Sequence, residues 1–168
     1  MIAPVSVSSE PQKYHRIDHI AFAVHDLDAA IELFSAGLGF TLTARRRIQG
    51  SRTGMISAEM EYNGLKFVLC QGTEPESQVS QLIAHNGPGV AHIAFEVDDV
   101  HSTAAELRAR GFEFDTTVIE GPGLQQVFSS RCSNSGACFE FIHRTTEEGF
   151  LEGNVQELFD QLERAGKY

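Results

Sequence analysis

The sequence predicts an α+β fold in which two βαβββ modules form an open, mixed-sheet barrel and a C-terminal helix follows. The first observation is a repeat, because the run His-Ile-Ala-Phe at 19–22 returns at 92–95. The second is that a helix-like segment follows each copy and ends in Gly-Phe, at 39–40 and at 111–112. The third is that 63–69 matches 135–141 at the same offset of 72 positions. A repeated unit of one strand, one helix and three strands explains this spacing.

Length and composition favour one globular domain. With 168 residues, of which 42% are hydrophobic and 21% charged, the chain is ordinary for a soluble protein with a sizeable core. We expect residues 1–14 to form a flexible tail and 15–168 a single domain. Within it, module one spans about 16–72, module two about 89–144 and the C-terminal helix about 154–165.

In module one, alternating apolar residues predict a first strand at 17–24, followed by a helix at about 27–36 that Asp26 caps. A second strand follows at 40–47. Two further strands, 55–62 and 65–70, flank Asn63-Gly64, which is the strongest hairpin signal in the sequence. A helix at about 78–84 then leads through a Gly- and Pro-rich turn to module two.

Module two repeats this order. We expect a strand at 91–97, a helix at about 100–110 capped by Asp98 or Asp99, and strands at 113–118, 124–130 and 138–143. The last helix has no counterpart in either module. Its apolar residues share one face at helical spacing and are expected to cover the mouth of a cavity, as Val155, Leu158, Phe159 and Leu162.

The two repeated strands place a histidine beside small residues on one face, with bulky apolar residues on the other. His19 and His92 are therefore expected to face a cavity. The last strands of the modules differ at one equivalent position, which is Val68 in module one and Glu140 in module two. An isolated buried carboxylate is costly, so Glu140 should have a cation or strong hydrogen-bond donors beside it.

If the repeat brings these four positions around one point, His19, His92 and Glu140 can bind a metal and Val68 cannot. Two histidines and one carboxylate suit non-haem Fe(II), which would keep about three coordination positions for substrate and oxygen. Zinc in a catalytic site of the same ligand types is the alternative. Zinc, cobalt, nickel or manganese could replace iron in a purified sample.

The net charge of −10 argues against a nucleic-acid or anionic-membrane partner. The run Arg45-Arg46-Arg47 is expected to be a solvated strand end, with an anion contact as the alternative. Three cysteines without Cys-x-x-Cys spacing favour a reducing, cytoplasmic compartment. Cys70 and Cys138 are expected to fill space in the core, and the sequence leaves a homo-oligomer open.

Several motifs resemble the vicinal oxygen chelate superfamily, and more closely the catalytic C-terminal domain of 4-hydroxyphenylpyruvate dioxygenase and hydroxymandelate synthase. The resemblance runs from about 17 to 165. Its motifs are Ile-Asp-His at 17–19, Ser-Gln at 77–78, Gly-Pro-Gly-Val-Ala-His-Ile-Ala-Phe at 87–95, Phe-Glu-Phe-Ile-His-Arg at 139–144 and Gly-Phe-Leu-Glu-Gly-Asn at 149–154. It implies the glyoxalase/bleomycin resistance/dioxygenase fold.

The resemblance also implies His19, His92 and Glu140 as iron ligands, in agreement with the repeat. It implies a 2-oxo acid and O2 as substrates, with oxidative decarboxylation and hydroxylation of the acid. The positions that it implies for substrate contact are Ser57, Gln78, Gln126, Phe128 and Asn154.

The chain departs from that family in the pocket. Ala91 stands where the family usually has glutamine, Val155 where it usually has phenylalanine, and Gln71 where it tends to have asparagine. Loss of an aromatic wall removes stacking worth about 0.5–1.5 kcal/mol. The side chain of the acid is therefore left open.

Two other classes of function are alternatives. One is a metal-dependent glyoxalase-like lyase, an epimerase or an extradiol dioxygenase. Isomerases of this fold commonly use a fourth protein ligand, which Val68 cannot supply, and extradiol cleavage needs a further acid-base histidine that is not evident. The other is a non-catalytic small-molecule-binding protein of the drug-resistance type, which predicts unrelated residues at the ligand positions.

Overall fold

A computed structural model describes residues 14–145 and 152–167. Its strands are β1 Arg16–Ala23, β2 Thr41–Gln49, β3 Gly54–Tyr62, β4 Leu65–Gly72, β5 Gly89–Glu96, β6 Ile119–Gly121, β7 Leu124–Phe128 and β8 Phe139–Arg144. Its helices are α1 Leu27–Glu32, which a π-helical turn Leu33–Gly37 extends, α2 Gln78–Asn86, α3 Val100–Ala109 and α4 Glu152–Ala165. The predicted tail lies outside the described residues except for Tyr14.

The eight strands form one curled sheet in the order β2-β3-β4-β1-β5-β8-β7-β6. Strands β1 and β5 pair antiparallel at its centre, and each pairs in parallel with the last strand of its own module, β4 or β8. Each module therefore runs outward from the centre in the same strand order. The predicted α+β fold of two βαβββ modules is confirmed.

Local signals place the helix starts and the first hairpin as expected. The Asp26 carboxylate accepts a hydrogen bond from Ala29 N at 2.9 Å and caps α1. Asp99, and not Asp98, caps α3 by accepting from Ser102 N at 3.0 Å. The residues of the β3–β4 turn, Asn63 and Gly64, both have positive φ, which asparagine and glycine adopt most easily.

The predicted strand at 113–118 is wrong. In its place Phe114 makes one isolated bridge to Ser129, and a strand of three residues, β6, begins only at Ile119. Side chains take the hydrogen bonds that a continuous ladder would use, because Thr116 Oγ1 accepts from Phe128 N at 3.1 Å and Thr117 N donates to Gln161 Oε1 at 3.0 Å. Residue Gln161 belongs to α4, so the docked helix interrupts this strand.

Strand β1 contains a bulge next to the first histidine. Ile17 pairs with Phe95 and His19 pairs with Ala94, so Asp18 is an extra residue in the ladder. Strict alternation would point the side chains of Asp18 and His19 to opposite faces, yet both are buried, with 3% and 2% of their surfaces exposed. The bulge therefore brings a carboxylate into the interior beside the histidine.

Helix α4 covers the inner face of the sheet. The four apolar residues that the sequence assigned to one helix face, Val155, Leu158, Phe159 and Leu162, all line an interior cavity. No helix within the described ranges is both long enough and apolar enough to cross a membrane.

Candidate metal centre

Three side chains predicted as metal ligands converge on the inner face of the sheet. His19 comes from β1, His92 from β5 and Glu140 from β8, which are neighbouring strands at the centre of the sheet. Glu140 Oε2 lies 3.1 Å from Nε2 of each histidine, and the two Nε2 atoms are 3.3 Å apart. One nitrogen or oxygen from each residue can therefore reach a common point.

The orientation of His19 is fixed from behind. Its Nδ1 donates to Asp18 Oδ1 at 2.8 Å, which leaves Nε2 turned toward Glu140 and His92. Arg144 in turn donates to both Asp18 oxygens, through Nε at 2.9 Å and a second guanidinium nitrogen at 3.1 Å. A carboxylate behind a histidine is the usual support of a metal-binding imidazole. The sequence analysis assigned no role to Asp18 or Arg144, although both lie in the motifs that it singled out.

The other oxygen of Glu140 is also held. Gln126 Nε2 in β7 donates to Glu140 Oε1 at 2.7 Å, and Asn154 Nδ2 in α4 donates to Gln126 Oε1 at 3.1 Å. A chain of two amides therefore connects α4 to the carboxylate. Of the residues that the resemblance assigned to substrate contact, Gln126 therefore binds Glu140, and Asn154 binds Gln126.

Burial and charge oppose each other at this centre. Burial disfavours the charged form of His19, but the carboxylates of Glu140 and Asp18 raise its pKa to about 9. Burial likewise raises the pKa of Glu140, but the two histidines overcome this effect and hold it well below its usual range. Burial lowers the pKa of His92 despite the adjacent carboxylate. The carboxylate is thus ionised and one imidazole remains neutral.

The geometry fits a bound divalent ion. Glu140 is fully buried, and its Oε2 accepts no hydrogen bond of acceptable geometry although two imidazole nitrogens lie 3.1 Å away. Ligand atoms about 2.0–2.2 Å from one ion lie roughly 3 Å apart, as these three do. A cation at this point would compensate the charge of the buried carboxylate and bind the oxygen for which no hydrogen bond of acceptable geometry exists.

A cavity of about 60 Å³ lies directly in front of the three side chains and contains Val68, Ser57, Gln126 and Phe128 among its lining residues. Phe128 stands edge-on to His92, with ring centroids 5.3 Å apart. A second cavity of about 120 Å³ shares His92 and Phe128 with the first and continues beneath α4 toward Gln78. Oε1 of Gln78 is buried and has no hydrogen-bond partner within the described chain.

The run Arg45-Arg46-Arg47 was expected to be a solvated strand end, and this is wrong for Arg46. Arg46 forms an ion pair with Glu59, their side chains are only 19% and 16% exposed, and both line the cavity that contains His19. Arg45 and Arg47 are exposed, as expected for a solvated strand end. Period-two alternation of β2 explains the difference, because it turns the middle arginine of the three inward.

The cysteines contribute no evident nucleophile to the cavity. Cys70 and Cys138 are partly buried and line the 120 Å³ cavity. Burial raises the pKa of the Cys70 thiol to about 12 and that of the Cys138 thiol to about 11. Both thiols therefore remain protonated near neutral pH, in keeping with a role in packing.

Comparison with known proteins identifies a family. A model of the Glyoxalase/Bleomycin resistance protein/Dioxygenase superfamily matches residues 18–127. Hemolysin VllY of Vibrio vulnificus is 28% identical, over 69% of this chain and 42% of the relative. The 4-hydroxyphenylpyruvate dioxygenase of Legionella pneumophila is 24% identical, over 88% of this chain and 53% of the relative. The chain thus spans about half the length of these curated relatives.

Two solved structures illustrate the range of similar proteins. A mutant 4-hydroxymandelate synthase from Streptomyces coelicolor superposes with a TM-score of 0.81 and 22% identity, over 96% of this chain and 57% of that one. A methylmalonyl-CoA epimerase from the same species, in complex with 2-nitronate-propionyl-CoA, gives a TM-score of 0.68 and 30% identity, over 80% of this chain and all of that one. The first shares the fold over more of this chain, and the second is more similar in sequence.

Proposed function

Since the chain belongs to the Glyoxalase/Bleomycin resistance protein/Dioxygenase superfamily, we propose that it is an Fe(II)-dependent dioxygenase that oxidatively decarboxylates and hydroxylates a 2-oxo acid. The observation that carries the proposal is the set of two imidazole nitrogens and one carboxylate oxygen, 3.1–3.3 Å apart on one side of a cavity. Dioxygenases of this type need such a set, because it leaves neighbouring positions for an acid and for O2.

In this proposal His19, His92 and Glu140 hold the ion. When bound, Fe(II) would supply one- and two-electron chemistry with O2 and would polarise the carbonyl of the acid. Asp18 keeps the Nδ1 proton of His19 in place, so that Nε2 offers its lone pair to the ion. Gln126 fixes Glu140 through its second oxygen. These supports limit the rotation of two of the ligands.

The cavity walls would position the acid and exclude water. Phe128 packs against His92 and gives an apolar surface next to the ion. Gln78, whose Oε1 has no partner in the described chain, offers a buried amide to a polar group of the substrate. Ser57 in β3 lines the 60 Å³ cavity in front of the proposed ligands. Because apolar side chains of α4 line the 120 Å³ cavity, this helix would shield a bound acid from bulk water.

A metal-dependent epimerase is the second candidate, supported by the 30% identity to methylmalonyl-CoA epimerase. Epimerisation needs a group that removes a proton from the substrate, and it does not consume O2. The apolar side chain at Val68 favours the dioxygenase, because it adds no fourth ligand and leaves room at the ion for a chelating acid and O2.

The test is anaerobic loading of the purified protein with Fe(II), followed by measurement of O2 uptake and CO2 release over a panel of 2-oxo acids. We expect coupled uptake and release with at least one acid, and loss of both in H92A and in E140A. Absence of O2 uptake with every acid would reject the dioxygenase. Exchange of a substrate proton for deuterium without oxygen consumption would instead support the epimerase.

Metal analysis distinguishes the proposed enzyme from a metal-free binding protein. After loading with iron or zinc and removal of free metal, binding of less than about a tenth of an equivalent would favour a binding protein, since a built site retains its ion. We expect close to one equivalent for the wild type.

A further inference from the structure

The inner cavity contains an arginine that the proposed iron chemistry does not use. Arg131 lies in the loop after β7 and lines the 120 Å³ cavity together with His92. Its two terminal nitrogens donate to backbone carbonyls, Nη1 to Gly136 at 2.7 Å and Nη2 to Ala91 at 2.9 Å. These bonds hold the guanidinium in one orientation next to the histidine strand.

The contact with Ala91 depends on an irregularity in β5. Ala21 pairs with His92 while Phe22 pairs with Val90, so Ala91 is an extra residue in the ladder. The bulge makes the Ala91 carbonyl available to Arg131, and the methyl group at this position leaves the adjacent space open. The guanidinium is thereby tied to the residue immediately before a proposed metal ligand.

Arg131 has unused hydrogen-bonding capacity. Its Nε is buried and donates to no atom within the described chain. A guanidinium carries five N–H donors, and its two recorded hydrogen bonds use only part of them. A buried donor without an acceptor is unfavourable, and a ligand anion would satisfy it.

No carboxylate of the described residues lies within ion-pair distance of Arg131. The one carboxylate that lines the same cavity within those residues, Asp115, accepts a hydrogen bond from Ser130 Oγ at 2.7 Å. Arg131 and His92 line the same cavity, and Arg131 donates to the carbonyl of Ala91, the residue before His92. The guanidinium is therefore close enough to the proposed metal site to contact a ligand that extends from it.

Much of the lining of the 120 Å³ cavity that His92 and Arg131 share is apolar. It includes the side chains Ala21, Val79, Leu82, Phe128, Leu158 and Phe159. A ligand that fits this cavity has a chelating head, an apolar middle and a negatively charged end. In a cavity with little water, the attraction between such an end and a guanidinium is stronger than at the surface.

We propose that Arg131 binds a second carboxylate of the substrate, so that this protein selects dicarboxylic 2-oxo acids over monocarboxylic ones of equal length. The inference rests on the proposed function for the identity of the head group. It gives Arg131 the role of a specificity-determining residue, since it contacts the substrate away from the reacting atoms.

The experiment compares 2-oxoadipate with 2-oxohexanoate, which have the same chain length and differ in the terminal carboxylate. Dissociation constants are measured anaerobically on the Fe(II)-loaded protein, from the charge-transfer absorption or by calorimetry. We expect the wild type to bind 2-oxoadipate roughly 10- to 100-fold more tightly, which corresponds to one charge-assisted contact.

The ratio of the two dissociation constants is then measured in variants, because a ratio within one variant cancels any general loss of folded protein. In R131Q the ratio should fall to near one. R131K should keep part of the preference for 2-oxoadipate. Arg45→Gln removes an exposed positive charge that lines neither cavity and should leave the ratio unchanged. A wild-type ratio near one, or an unchanged ratio in R131Q, would overturn the proposal.

Failure of the proposed function gives a different result. If neither 2-oxo acid binds at the metal, the anion site is tested alone with adipate and hexanoate on the metal-free protein, while the O2-uptake panel decides on the iron chemistry. Tighter binding of adipate to the wild type, and not to R131Q, would support the site without the dioxygenase. Equal binding of the two acids to the wild type would reject the site as well.

Discussion

Val68 and Glu140 occupy equivalent positions on either side of the two histidine strands. In the β1–β4 register Val68 faces Ala21, and in the β5–β8 register Glu140 faces Ala94. Both side chains line the same cavity as His19 and His92. Four positions from two modules thus surround one point, and only Val68 lacks a metal-binding atom.

Replacing Val68 with glutamate tests this arrangement. A fourth protein ligand should tighten iron binding and lower O2-dependent turnover at least about tenfold, because an octahedral ion would keep only two positions for acid and oxygen. Iron affinity and O2 uptake are the measurements. V68I is the matched control and should change neither by much. Unchanged turnover in V68E would show that this position does not face the ion.

Asp18→Asn tests the support behind His19. The variant weakens the hydrogen bond to Nδ1 and removes the charge that Arg144 pairs with, so we expect iron affinity to fall about 10- to 100-fold. Competition with a chelator measures it. The control is Glu96→Gln, which removes a carboxylate from an ion pair near the surface and should cost only about 0–1 kcal/mol of stability. Equal iron affinity in D18N and wild type would contradict the assignment.

Gln126→Leu and Asn154→Ala should differ in their effects on stability. The first leaves Glu140 Oε1 buried without its donor and should reduce the free energy of unfolding of the metal-free protein by about 1–3 kcal/mol. The second removes only the outer amide of the chain and should cost less, about 0.5–1.5 kcal/mol. Denaturant unfolding of both variants measures this order, and a larger loss in N154A would contradict it.

Glu163→Gln tests the attachment of α4. The buried Glu163 carboxylate accepts from Ser51 Oγ at 2.7 Å, Thr53 N at 3.0 Å and Thr53 Oγ1 at 2.8 Å, which ties α4 to the β2–β3 loop. The amide keeps one acceptor oxygen and loses the charge, so we expect a loss of about 1–3 kcal/mol in the free energy of unfolding at neutral pH.

The effect of Glu163→Gln should depend on pH. Burial raises the pKa of Glu163, but hydrogen bonds from Ser51 and Thr53 outweigh it and hold the pKa below its ordinary value. The folded state therefore binds this proton less readily than the unfolded state, and the stabilisation is complete above the unfolded pKa of about 4.3. It is lost as the pH falls through the folded pKa. Wild type and E163Q should thus become similar in strong acid, and a difference that grows on acidification would contradict the assignment.

The sequence predicted most of the architecture because the two modules repeat. Alternation in 19–24 and 92–97, the Asp26 cap and the Asn63-Gly64 turn are local signals, and the structure has the corresponding elements. The strand predicted at 113–118 was wrong, since the Thr116 hydroxyl accepts from Phe128 N and Gln161 Oε1 accepts from Thr117 N, and both partners are distant in the chain. The convergence of His19, His92 and Glu140 could be predicted because equivalent positions of a repeat meet around a pseudo-symmetry axis.

By itself, the sequence determined the fold class and the three side chains that meet at the centre. Only the tertiary structure decided what lies behind and beside them. A bulge turned Asp18 inward to His19, the inward face of β2 paired Arg46 with Glu59, and a second bulge at Ala91 gave Arg131 its carbonyl partner. Periodicity sets which face a side chain takes only while the ladder is regular, so contacts that depend on an extra residue or on a distant strand follow from packing alone.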